Sequence, residues 1–395
     1  MKTVIINGIL LTPFRKVVNA GILIEDGKIL ELFEGKPSVQ TERVVDAKGA
    51  YVSPGFIDIH THGGGGFEFL DATPEAFEGA GKFHMQYGTT TILPTISACN
   101  DNELFAALEV FKQVKKSMKG GPDFHGIHLE GPYFSMEEKG AQDPRFLKVP
   151  KPEHYLKILN SSDDIVRWSS APELPGALEL ADELSRRGIV CALGHSNATY
   201  QQLVPAFERG YTHVTHLYSG CSLLRRINAF RYMGVVDSAF AIDNMTVEII
   251  ADGKHLPPEL LKLIVKQKAW DKISLITDSM RCAGMPEGSI QYTGTKENGM
   301  QVLIEDGVAK LTDRSSFAGS IATADRLVRN MKELAEIPLL DAVRMMTYNP
   351  ASVMHIQNKK GVLAPGRDAD LCIFDDNINI KAVFVNGEIT VDKLQ

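Results

Sequence analysis

Eight short apolar runs, most followed by an amphipathic stretch, fill the chain from about Pro54 to about His355. They are GFIDIH, TTTILPT, FHGIHLEG, IVRWSSAPE, VCALGHS, HVTHLY, MTVEIIADG and ISLITDS. Helical patterns lie between them, among them DNELFAALEVFKQVKKSMKG, PGALELADELSRRG, YQQLVPAFERG and PPELLKLIVKQKAW. Such alternation over roughly 300 residues is the signature of parallel α/β architecture. Eight strands fit a (β/α)8 barrel, a fold of about 250 residues before insertions. A doubly wound open sheet is the alternative. The barrel is preferred because distinctive polar residues end many different strands, and only a barrel gathers those ends on one face.

The two ends of the chain read differently. AGILIEDGKILELF is two apolar runs around Asp26-Gly27, and AVFVNGEITVD turns at Asn386-Gly387; both are hairpin signals. VIINGILL near the start echoes VFVNGEIT near the end. Neither end has enough strands to bury a core alone. The expected organisation is residues 1–53 and 356–395 forming one small β domain, with residues 54–355 forming the barrel.

Composition narrows the function classes. Across 395 residues, 42 Lys+Arg stand against 49 Asp+Glu, a formal charge of −7. That mild acidity argues against a general nucleic-acid or anionic-membrane binder. No apolar run approaches the roughly 18–20 residues of a membrane span. The opening MKTVIINGILLTPFRKV alternates like a strand rather than a signal peptide. The five cysteines (Cys99, Cys191, Cys221, Cys282 and Cys372) are odd in number and widely spaced, without a CxxC pair. Reduced thiols in a cytoplasmic protein are expected.

The chemistry lies where the apolar runs stop. His60 and His62 form an HxH pair; residues i and i+2 of a strand share a side, so both imidazoles can reach one ion. Glu130 ends the third run inside HLEGP, His195 the fifth and His216 the sixth, and Asp278 ends the last. Buried carboxylates are rare unless paired or metal-bound. Glu130, His195 and His216 are read as one metal subsite, with His60 and His62 holding a second ion bridged by Glu130. This N/O donor set suits Zn²⁺ or Fe²⁺, one or two ions per subunit. Asp278 is the candidate general base, and His255, in ADGKHLP, a candidate donor to a substrate oxygen. His128 and His213, inside strands, are read as structural.

Taken together, GFIDIHTHGGGG, HLEGPYF, KGAQDP, GHSNA, THLY, ADGKHLPP, ITDSMRCAGMPEG, FAGSIATAD, NPA and the closing GVLAPGRDADLCIFD resemble the N-acetylglucosamine-6-phosphate deacetylase family of the amidohydrolase superfamily. The motifs run in the family's order along nearly the whole chain. The resemblance implies a deformed metal-dependent barrel with a small β-sandwich built from both termini, and a homodimer. It implies that Glu130, His195 and His216 hold the principal metal, that Asp278 is catalytic and that His255 binds the sugar. The implied reaction is hydrolysis of the N-acetyl group of N-acetylglucosamine 6-phosphate. N-acetylgalactosamine 6-phosphate or a cyclic amide are alternative substrates, and a non-catalytic barrel scaffold is disfavoured because every ligand position is filled.

Three departures fall on the substrate side. After THLY the family typically has Asn-Ala-Met, whose backbone helps hold phosphate; here the chain reads Ser219-Gly220-Cys221. Backbone N–H groups of Ser219 and Gly220 remain candidate anion donors. An insertion of about four residues carries Arg225 and Arg226, and Arg231 fits the family's arginine best; guanidinium matches phosphate geometry in any of the three. After Lys139-Gly140-Ala141, Gln142 replaces the family's histidine, and an amide donates a hydrogen bond but carries no proton. Ala141 and Gln142 are therefore candidate substrate contacts.

Overall fold

The computed structural model describes residues 2–38, 41, 43–295 and 299–394. All eight anticipated runs are strands of one parallel sheet: Phe56–Thr61, Thr89–Ile96, Ile127–Glu130, Ile165–Ser170, Val190–Leu193, His213–Val214, Thr246–Ile249 and Ile273–Leu275. They pair in chain order, and a short ninth strand, Asp123–Phe124, also pairs with Thr89–Ile96. The sheet curls until its last and first strands meet. There the Asp278 amide donates to the His60 carbonyl (2.9 Å) and the His62 amide to the Ser279 carbonyl (2.8 Å). The four quoted helical patterns form Asp101–Ser117, Ala177–Arg186, Tyr200–Glu208 and Pro258–Gln267.

Local chemistry sets the helix starts. Asn100 accepts from the Glu103 amide, and Glu103 accepts in return from the Asn100 amide, a capping box that opens Asp101–Ser117. Thr73 caps the Ala76 amide ahead of Pro74, a residue suited to the first helical position. The helices cover the barrel with a continuous apolar core. Ile57, Ile59, Leu93, Ile250 and Ile276 fill a separate cluster in its interior. The barrel is thus a packed body whose open space lies at the strand ends.

Strands from both termini form one further sheet. Its order is Glu388–Asp392, Ile380–Val385, Leu371–Phe374, Tyr51–Pro54, Lys2–Leu11, Lys16–Glu25, Lys28–Glu34. The two ends join where Leu371–Phe374 runs antiparallel to Tyr51–Pro54, Cys372 opposite Ser53. The small β-sandwich buries Ile5, Ile22, Val52, Leu371, Ile373 and Phe384 together. Asp26 and Gly27 (φ 49° and 77°) and Asn386 and Gly387 (φ 49° and 77°) all have the positive φ that a tight hairpin turn requires.

Two insertions were less visible in the sequence. A hairpin of Arg225–Ile227 and Phe230–Tyr232 carries the three candidate arginines. A three-stranded sheet, Ile290–Thr293, Met300–Glu305 and Val308–Leu311, follows the last barrel strand. All five cysteines are buried free thiols. No helix among the described residues is long and apolar enough to cross a membrane.

Candidate metal centre and active site

The strand ends of the barrel open into a cavity lined by His62, Glu130, His195, His216, His255 and Asp278, with the inserted three-stranded sheet contributing Thr293 and Met300. With His60, whose Nε2 lies 3.4 Å from Asp278, the residues expected at the reaction centre therefore come together, although they are separated by up to 218 positions in the chain.

Glu130 is the hub. Its Oε1 lies 2.9 Å from His216 Nε2, 3.2 Å from His195 Nε2 and 3.7 Å from His60 Nε2, and its Oε2 lies 3.3 Å from His62 Nε2. Asp278 Oδ1 lies 3.1 Å from His62 Nε2 and 3.4 Å from His60 Nε2. Two tight groups of donor atoms result: His60, Glu130 and His216, and His60, His62 and Asp278.

Each imidazole is turned the same way. His195 Nδ1–H donates to the Glu138 carbonyl (2.8 Å) and His216 Nδ1–H to the Ser219 carbonyl (2.9 Å). His62 Nδ1 meets Ser97 Oγ (3.0 Å), and His60 Nδ1 meets the Glu248 carboxylate (3.3 Å). All four rings thus spend Nδ1 on the surrounding fold and direct Nε2 at Glu130. His60 Nε2 is buried with no hydrogen-bond partner among the described residues, a lone pair left for something else. Four imidazole nitrogens and two carboxylates around one point fit a divalent metal ion.

The electrostatics agree. Burial works against charge on all of these groups, yet Glu130 is held well below the ordinary carboxylate range by the His195, His216 and His62 rings beside it. Asp278 is likewise lowered against burial, by His60 and His62. Burial opposes a charge on His62 too, but Asp278 and Glu130 push it up to about 10. The centre therefore attracts positive charge and keeps its carboxylates ionised.

Backbone strain marks the same residues. His195, His216 and Asp278 have φ of 48°, 31° and 48°, a region costly for residues with a Cβ. The glycine run after His62 serves packing: the amides of Gly63, Gly65 and Gly66 donate to the carbonyls of Ser279, Ala283 and Arg281. A Cβ on Gly63 would lie 2.1 Å from the Phe67 carbonyl oxygen. Arg281, itself buried, pairs with Glu68 and Asp71, fastening the last strand's loop to this segment.

The substrate-side candidates are placed unevenly. His255 lines the cavity; Asp252 accepts from its Nδ1–H (2.9 Å) and from its amide (2.9 Å), leaving Nε2 free to face the opening. Ala141, Gln142, Ser219 and Gly220 also line it. Gln142 Nε2–H donates to Glu130 Oε2 (2.8 Å) while its Oε1 accepts from the Ala98 amide (3.1 Å), so its amide is built into the centre. The Ser219 amide is given to the His216 carbonyl (2.8 Å), so the Ser219 hydroxyl and the Gly220 amide remain as candidate anion donors. Arg231 is exposed on its hairpin, donates to the Ala229 carbonyl (3.0 Å) and does not line the cavity. Arg225 is held by Asn197, and among the described lining residues there is no lysine or arginine.

Gly220 carries a sharper constraint. Its φ is +56°, and a Cβ there would lie 2.6 Å from His195 Nδ1 and 2.9 Å from the Glu138 carbonyl, in the middle of the bond that orients His195. Gly220→Ala should weaken binding of a divalent ion by at least tenfold in a chelator competition, because disturbing the contact that orients a candidate ligand histidine typically costs 10–100-fold. Unchanged affinity would show that His195 tolerates the displacement.

The sequence reading missed Asp58, Arg167 and Glu248, buried charges beneath the centre. Asp58 accepts from Thr277 Oγ1 (2.5 Å) and, more weakly, from the His60 amide (3.3 Å); burial pushes it up to about 7. A charged residue in the middle of an apolar strand (GFIDIH, IVRW, TVEII) was the available signal. His128, by contrast, has both ring nitrogens satisfied, on Thr95 Oγ1 (3.1 Å) and Ser169 Oγ (2.7 Å).

The model of the amidohydrolase family matches residues 51–390. N-acetylglucosamine-6-phosphate deacetylase of Haemophilus influenzae is 30% identical over 390 residues, covering 98% of this chain and 99% of the relative. N-acetylgalactosamine-6-phosphate deacetylase of Escherichia coli O157:H7 is 32% identical over 369 residues, 93% of each chain. Among solved structures, a variant of the Mycobacterium smegmatis N-acetyl-D-glucosamine-6-phosphate deacetylase in complex with N-acetyl-D-glucosamine-6-phosphate superposes with a TM-score of 0.90 at 29% identity, covering 99% of both chains.

Proposed function

The chain belongs to the amidohydrolase family, alongside the N-acetylglucosamine-6-phosphate deacetylases, and from that membership we propose that it hydrolyses the N-acetyl amide of N-acetylglucosamine 6-phosphate to the free amine and acetate. The observation that carries the reading is the convergence of four imidazole Nε2 atoms on Glu130 with Asp278 beside them. The galacto epimer is the second reading, favoured by the full-length similarity to a deacetylase of that sugar phosphate.

In this proposal Glu130, His195 and His216 hold a divalent ion, Zn²⁺ or Fe²⁺, and His60 and His62 are available for a second. The ion, when bound, supplies a Lewis acid and makes water acidic enough to lose a proton near neutral pH. Asp278, ionised at neutral pH, accepts the proton of the attacking water. It then returns that proton to the amide nitrogen, which would otherwise leave as a strongly basic anion. His255, locked by Asp252, offers Nε2 to the sugar, and Gln142 holds the Glu130 carboxylate in place. Ser219 and Gly220 bind the phosphate, whose distance from the amide lets binding energy orient the reacting bond.

The phosphate also needs a cation that the described cavity wall lacks. Arg231 is the proposed source, delivered by a second copy of the chain in a homodimer. The hairpin that bears it exposes Ile227 and Phe230, and the two residues before it, Leu223 and Leu224, are exposed as well, an apolar surface suited to burial between subunits. Arg231→Ala should raise KM for phosphorylated substrates at least tenfold with little change in kcat. Equal effects on phosphorylated and plain sugars would reject that anchor. A cytoplasmic setting is part of the same reading, supported by the five unpaired thiols.

Acetate release from N-acetylglucosamine 6-phosphate, its galacto epimer and the two unphosphorylated sugars, with metal analysis of the same sample, tests the reading. Turnover of the gluco phosphate well above the others supports it. Bound metal with no turnover of either phosphate would keep the hydrolase and discard the sugar.

A further inference from the structure

We propose that the buried Arg167–Glu248 pair beneath the centre is a positioning unit that fixes the His60 ring with its Nε2 lone pair open to a metal ion. The inference rests on the metal-centre reading above. Arg167 lies on the fourth barrel strand and Glu248 on the seventh, both fully buried, with the guanidinium directly paired to Glu248 Oε1. A buried ion pair is poor evidence of added stability, since desolvation offsets the attraction. What these two residues touch explains their presence better.

Apart from Arg167 Nε, which is buried with no hydrogen-bond partner among the described residues, the remaining polar side-chain atoms of the pair contact candidate ligands or their neighbours. Glu248 Oε2 accepts from His60 Nδ1–H (3.3 Å) and from the His216 amide (3.3 Å). Arg167 Nη1 donates to the Ile59 carbonyl (2.9 Å), the residue before His60. Its Nη2 donates to Thr215 Oγ1 (3.0 Å), the residue before His216. The Glu248 carbonyl takes the Leu217 amide (2.8 Å), and His213 Nε2 stands 3.3 Å from Oε1. Four barrel strands are thus gripped at one point directly under the centre.

His60 is also singular among the four histidines. The others rest Nδ1 on a carbonyl or a hydroxyl, whereas His60 rests it on a carboxylate. A carboxylate only accepts, so it selects the Nδ1–H tautomer, frees Nε2 and raises the ring's strength as a ligand. His60 is the one residue common to both tight donor groups. Its orientation therefore bears on both of these donor groups.

The test uses the full chain and Zn²⁺. Glu248→Gln keeps an acceptor oxygen in place. The double variant Arg167→Met/Glu248→Leu removes both charges together, so neither is left buried alone. Circular dichroism selects folded samples, and chelator competition gives zinc affinity and stoichiometry. The expected result is an intermediate loss of affinity for Glu248→Gln, which keeps an acceptor but not the charge, and a loss of 10–100-fold for the folded double variant, the usual range for removing a group that orients a ligand. A folded double variant binding zinc as tightly as the wild type would overturn the proposal. Histidine ¹⁵N resonances give a second readout, with His60 assigned by its loss in His60→Asn. An Nδ1–H tautomer in the wild type is expected, and an Nε2–H tautomer overturns the proposal even if the double variant does not fold. A wild-type chain that binds no zinc while His60 shows the Nδ1–H tautomer would sink the metal reading and leave the positioning role standing.

Discussion

Asp278→Asn is expected to lower kcat by about 10²–10⁴-fold, the range that a positioned general acid–base supplies. Asparagine has nearly the same shape and keeps an oxygen where Asp278 Oδ1 meets His62 and His60. It loses its negative charge, and with it the capacity to accept and return a proton, while Glu130 and the four imidazoles stay in place. Metal content should therefore stay at the wild-type value while turnover collapses, and KM should move little. The backbone sharpens the test. Asp278 sits at φ 48°, in the left-handed region where asparagine is at least as comfortable as aspartate, so the substitution adds no strain. Asp278 also donates its amide to the His60 carbonyl and accepts from the Ser320 amide (2.7 Å), bonds that the side-chain change leaves intact. Metal-replete Asp278→Asn with near-wild-type turnover would remove Asp278 as the base and send the search to His255, a titratable group lining the same cavity.

What the sequence disclosed depends on where each residue sits along its strand. His60, Glu130, His195, His216 and Asp278 interrupt apolar runs at their ends, where the barrel rule assigns function, and strand periodicity puts His60 and His62 on one side. The structure brings all six together. The eight strands were legible for the same reason: buried parallel strands read as continuous apolar runs. Arg167 and Glu248 were missed because they lie in mid-strand, where a single charge looks like noise until its partner, 81 positions away, is known. Arg281 and Asp71, which lie outside any strand, likewise pair across 210 positions. The three-stranded insertion over the cavity was also unread. Its strands are mostly half-exposed, so they lack the apolar continuity that marked the barrel. Gln142 shows a different limit: residue type gave its donor capacity, but only geometry shows that donor committed to Glu130.

The hub position makes Glu130→Gln the most damaging single change expected. Glu130 touches the Nε2 atoms of His60, His62, His195 and His216 as well as the Gln142 amide. It is only 2% exposed, so no water replaces a lost contact. The amide is isosteric but neutral. The centre would retain Asp278 as its only negative ligand candidate, and the attraction for a divalent cation would fall accordingly. One half of the new amide is also a donor, and it must face either an imidazole lone pair or the Gln142 side chain, which already donates toward that site. Affinity for a divalent ion should drop by more than the 10–100-fold typical of losing an orienting group, and turnover with it, in contrast to Asp278→Asn, where turnover alone is lost. The protein should remain folded, because the barrel core packs on apolar clusters distinct from the centre. Inductively coupled plasma analysis after dialysis against a weak chelator, run in parallel with acetate release, separates the two variants. If Glu130→Gln kept full metal content and lost only turnover, Glu130 would be a catalytic group rather than the ligand on which the centre is built.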